Sequence, residues 1–154
     1  MQGLTDEEYF WEPVAGCWSI RPIGDGRFSY DGDWPEPDPP PFTTIAWRIG
    51  HIAGSVLERR IANHFGAGNF NLTNVVWPGT AADAIAMLED RYAAWTAGIA
   101  SLGNEGLSRK VGPAEGHFSE HPFATLILHI NREVIHHAAE IGVLRDLYRD
   151  RDKR

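Results

Sequence analysis

Residues 122–149 constrain the fold more than any other part of the chain. At about 100° of turn per residue, Leu126, Ile130, Val134, His137, Ile141, Leu144 and Tyr148 fall within about 80° of one another, forming the apolar face of one long helix. Pro122 opens it at the first turn, where a missing N–H does no harm. A second helix is predicted over residues 43–65, capped by Thr43 or Thr44 and stopped at Gly66, with the stripe Ile45, Ile49, Ile52, Val56 and Leu57. A third spans residues 81–101. It begins like a capping box, with Thr80 followed three positions on by Asp83, and its apolar face is Leu88, Tyr92 and Trp95. One-sided helices bury their apolar sides against one another, so the fold class is all-α. Three helices are one fewer than usually close an up-and-down bundle. A short helix within residues 1–10, a lost N-terminal helix or a partner chain could each supply the fourth, and periodicity does not choose among them.

The rest of the chain connects these helices. At 154 residues it suits one domain, 1–154, with a real core; 43% apolar and 23% charged residues fit an ordinary folded protein. Residues 1–42 lack helical period and hold seven prolines, yet they carry Trp11, Trp18, Phe28, Tyr30 and Trp34. A disordered tail would not bring so many aromatics, so this segment reads as an ordered, irregular wrap. Residues 66–79, with a short extended piece at 75–77, and 102–121 read as irregular connections. The formal charge of −7 argues against nucleic acid, since phosphate binding needs a basic face. Cys17 is the sole cysteine, which excludes an internal disulfide; it reads as a buried inert thiol rather than a nucleophile. No apolar run approaches a membrane span and the acidic, aromatic start is unlike a signal peptide, so a cytoplasmic location is expected.

Chemistry enters through Glu133, which lies about 20° outside the apolar arc of the last helix and one turn before His137. An unpaired buried carboxylate costs several kcal/mol, so Glu133 must be protonated, ion-paired or bound to a cation. Glu-x-x-x-His on one helical face suits two ligands of a divalent metal, and it equally suits a half-buried hydrogen-bonded pair. His51, in the middle of the first long helix, is a candidate third ligand. Its wheel position is opposite the isoleucine stripe, on a face shared with Trp47, Gly54 and Ser55. That face is either solvent or a cleft lined by small residues and facing the last helix. His136 points about 100° away from His137, His129 lies on the flank, His64 sits at a frayed helix end, and His117 and His121 border a loop. No phosphate-binding loop, dinucleotide fingerprint or nucleophile elbow is present.

"TTIAWRIGHIAGSVLERR", followed much later by "NREVIHHAAEIGVLRDLY", resembles the DinB-like superfamily of bacterial metalloproteins. The opening "LTDEEYFWEPVAGCWSIRP" resembles the segment after that family's first helix. The resemblance implies a DinB-like up-down four-helix bundle whose first helix is shortened or absent in this chain, with long ordered loops. It also implies a metal set of His51, Glu133 and His137. Glu133 stands where relatives often have histidine, which is similar to the branch typified by mycothiol-dependent maleylpyruvate isomerase. By that resemblance the metal is zinc, with nickel, iron or manganese as alternatives. The expected activity is thiol S-transfer or isomerisation, with a low-molecular-weight thiol and an electrophile as small-molecule partners. The arginine-heavy, Ala- and Gly-rich composition hints at a GC-rich genome and so favours mycothiol. A homodimer is expected. The alternative function is a non-catalytic, stress-associated metal-binding bundle.

Overall fold

The computed structural model describes residues 1–153. Among these, the chain forms α1 (Asp6–Tyr9), a hairpin of β1 (Ile20–Gly24) and β2 (Arg27–Tyr30), then α2 (Ile45–Gly50), which runs without a break through a π-helical segment (His51–Glu58) into α3 (Arg59–His64). Two helices follow, α4 (Ala81–Ala100) and the short α5 (Gly103–Ser108), and the long α6 (Phe123–Asp150) ends the domain before a final 3₁₀ turn. The architecture is helical, with one two-stranded antiparallel sheet. No described helix is long and apolar enough to cross a membrane.

Local chemistry sets the helix starts. Thr44 Oγ1 accepts the Trp47 N–H at 3.1 Å, and Thr80 Oγ1 accepts the Asp83 N–H at 3.1 Å. Pro122 takes the capping position of α6, one residue earlier than its expected place in the first turn. The wrap of residues 1–42 is ordered but more regular than its sequence suggests. Asp25 and Gly26 both have positive φ, 51° and 69°, and so turn β1 into β2, pairing Ile20 with Tyr30. An Asp-Gly pair is the usual signal for such a two-residue turn. The connection over residues 102–121 also differs from the irregular loop expected, holding α5 and a 3₁₀ segment at Pro113–Phe118.

The helix over residues 45–64 is the centre of the domain. It packs on α4 and α6, and β1 of the hairpin lies against its first part. Ile45, Ile49, Ile52 and Leu57 are fully buried, and so are Ala46 and Ala53 away from that stripe. Trp95 of α4 and Phe123 of α6 join Phe65 in an aromatic cluster with centroid separations of 5.7–6.3 Å. Burying such side chains contributes roughly 1.5–3 kcal/mol each. Tyr92 does not share this burial: α4 turns Ala81, Ala84 and Trp95 inward, leaving Tyr92 48% exposed rather than on the apolar face. Residues 1–10 contribute one short helix. It is pinned to the bundle by Asp6, which accepts the Ala81 N–H at 2.7 Å, and by the Glu8–Arg145 ion pair at 2.8 Å.

Candidate metal centre

Glu133 and His137 project from α6 with His137 Nε2 3.7 Å from Glu133 Oε2, the spacing of adjacent turns on one face. His51, at the start of the π-helical segment, faces them across the helix pair; its ring lies 4.7 Å from that of His137 at 73°. The three side chains each offer a ligand atom within 4.8 Å of the other two. Donors on one zinc ion lie ~2.1 Å from it and therefore no more than ~4.2 Å apart. The His137–Glu133 pair, at 3.7 Å, already meets that limit. The donor set is also chemically apt, because one carboxylate and two imidazoles suit a divalent first-row metal. These residues could hold such an ion.

The neighbours of the histidines decide which nitrogen each one presents. His137 Nδ1 is 2.7 Å from Glu140 Oε2. Burial pushes the Glu140 carboxyl up, but the His137 hydrogen bond and the Arg48 charge outweigh it and hold the group below the usual range. An ionised carboxylate only accepts, so His137 donates to Glu140 from Nδ1, and its Nε2 is the nitrogen on the Glu133 side. Arg48, one turn before His51 and buried, completes this unit by pairing with Glu140. The Tyr30 hydroxyl, delivered by β2, lies 3.3 Å from His51 Nδ1, and the His51 ring stacks on Trp47 at 5.0 Å and 7°. The Tyr30 contact occupies Nδ1 of His51 and leaves Nε2 as its free nitrogen. Burial, then the neighbouring His137, lowers the His51 pKa to about 4, so its imidazole is neutral near pH 7. Glu133 is ionised: burial raises its carboxyl, but the Arg132 hydrogen bond at 3.0 Å and the nearby His129 and His137 bring it below the ordinary value.

The remaining sequence candidates sort plainly. His136 is 60% exposed at its side chain and contacts Glu140 Oε1 at 3.2 Å. A second group, His136, His137 and Glu140, also has ligand spacing, but Glu140 is already engaged by Arg48 and by His137 Nδ1. His129 flanks Glu133, with Nδ1 3.8 Å from Oε1. His64 is not at a frayed end; it is buried against Glu115, which also takes Arg60. His117 and His121 stay exposed. Cys17 is buried, and burial pushes its thiol pKa up, away from a nucleophile's requirement. The face of His51 is not solvent; it meets the last helix, as the cleft alternative required, but large side chains rather than open space lie beside its small residues. Trp77 fills the space beside Gly54, so closely that a Cβ there would sit 2.7 Å from its ring. Sequence reading missed Glu140, Arg48 and Tyr30. Glu140, three residues after His137, was within reach of the same wheel argument; the other two carried no local signal.

A model of the DinB superfamily matches residues 1–141 of the chain. No curated protein and no solved structure matches it.

Proposed function

The chain belongs to the DinB superfamily, and from that premise we propose that it is a divalent-metal-dependent transferase or isomerase that uses a low-molecular-weight thiol of the mycothiol type. The observation that carries this reading is the convergence of His51, Glu133 and His137, two imidazoles and one carboxylate, within ligand spacing of one another. Zinc is the first choice, with nickel, iron and manganese next because N/O donors discriminate poorly among them. A divalent ion with three protein ligands and an open position supplies a Lewis acid that lowers the pKa of a thiol. Glu133 contributes the single negative charge of the set, so a net positive charge remains to favour an anionic thiolate. Glu140 and Tyr30 hold the two imidazoles in the tautomer and orientation that the site needs. Arg48 keeps Glu140 in place from the opposite helix.

Elemental analysis of the purified protein beside His51→Ala and Glu133→Ala variants tests the site; undiminished metal in both variants rejects it. Thiol-dependent turnover of a chloroarene or epoxide, present in the metal-loaded protein and lost with the metal, tests the activity. Bound metal that admits neither exchangeable water nor thiol rules the enzyme reading out. A second copy of the chain is the proposed protein partner, and light scattering that reports a monomer counts against it.

A further inference from the structure

One turn along α6 from Glu133, the helix and the connection before it enclose a cleft of about 350 Å³ with Arg60 at its side. That volume is within the range of small-molecule sites, ~300–1,000 Å³. Val111 and Leu126 give it an apolar floor, and Phe118, 65% exposed, forms a wall. The polar side of the cleft carries Arg60, Arg132, His121, His129 and one carboxylate, Glu115. Arg60 gives one terminal nitrogen to Glu115 at 3.1 Å, and its Nε is enclosed by protein rather than turned to the cleft. Arg132 uses a single nitrogen for both Glu133 and His129, each at 3.0 Å, and its other donors meet no acceptor among the described residues. Glu115, the carboxylate in the cleft, is already held by Arg60 and His64, so it neither uses the remaining donors nor faces an incoming anion unpaired. Planar guanidinium donors match a carboxylate.

We propose that this cleft binds a small organic carboxylate with an apolar body, the acid held by Arg132 and Arg60 and the body by Val111, Leu126 and Phe118. Its position beside Glu133 makes this molecule the electrophilic cosubstrate. That role rests on the thiol-transfer reading; the binding does not.

The test titrates zinc-reconstituted protein with 3-phenylpropionate and with its neutral amide, 3-phenylpropanamide, by calorimetry, and repeats both in EDTA. The acid is expected to bind about tenfold more tightly than the amide, with the preference kept in EDTA. Arg132→Gln, at a largely exposed side chain, should remove most of that preference and leave amide binding unchanged. Thr125→Trp, at an exposed α6 position on the cleft, should abolish binding of both with an unchanged circular dichroism spectrum. Equal affinity for acid and amide overturns the proposal. So does acid binding that survives Thr125→Trp, or a preference that disappears in EDTA, since either places the carboxylate on the metal. Absence of thiol-dependent turnover with these results intact removes only the cosubstrate role.

Discussion

Glu140→Gln isolates the contribution of a residue that would not itself touch the metal. The substitution keeps the shape of the side chain and its ability to accept from His137 Nδ1, but removes the charge that now faces both that nitrogen, at 2.7 Å, and Arg48. A hydrogen bond to a charged group contributes ~1.5–3 kcal/mol against ~0.5–1.5 for a neutral one, so the change is about 1–1.5 kcal/mol. At ~1.4 kcal/mol per factor of ten, metal affinity should fall about tenfold, at the lower end of the 10–100-fold common for carboxylate partners of metal-bound histidines. Folding stability should fall as well, by ~1–3 kcal/mol, because the Arg48 side chain, only 9% exposed, loses its anion. Competition with a chromophoric chelator near neutral pH reads the first effect, and urea unfolding of the metal-free protein reads the second. His136→Gln is the control. It also removes a contact to Glu140, but from an exposed side chain, and should change metal affinity by less than about twofold. Wild-type metal affinity in Glu140→Gln, or an equal loss in His136→Gln, would refute the assignment of Glu140 as the group that orients His137.

Three further outcomes follow from the packing and electrostatics. Gly54→Ala should destabilise the protein by ~1–2 kcal/mol despite its better helix propensity, because its Cβ would meet Trp77 at 2.7 Å; a raised melting temperature would mean that the indole moves aside freely. Asp6→Ala should cost ~0.5–2 kcal/mol in urea unfolding, since Asp6 accepts the first N–H of α4 as a cap does, and an unchanged midpoint would contradict this. The metal-free protein should lose stability as pH falls. His51 has a folded pKa of about 4 against an ordinary value of 6.5. Its contribution is therefore complete above pH 6.5 and declines as the unfolded chain alone takes up the proton, with a total loss on the order of 3 kcal/mol by about pH 4. Urea midpoints measured down that range should flatten in His51→Gln, and parallel slopes in the two proteins would show that another group is responsible.

Much of this protein is legible in its sequence, and the legible part is local. Helical periodicity places the three long helices, and Thr44 and Thr80 cap two of them through bonds that span only three residues. The common face of Glu133 and His137 follows from the four-residue spacing alone. The hairpin was written in Asp25-Gly26, but proline and glycine on both sides hid the strands. His51 shows where wheel geometry ends. Its angle about the helix axis was right, yet an angle does not say what lies opposite, and the side that should have met solvent or a cleft meets Trp47, Tyr30 and His137. The helix over residues 45–57 is enclosed by α4, α6, the hairpin and Trp77, so its own pattern could not tell which side faced water. Arg48 and Glu140 stand 92 positions apart. Each alone reads as an ordinary surface charge. Only the packing of α2 against α6 makes them a half-buried pair behind His137, because burial and the strength of a charge contact depend on which helix arrives opposite.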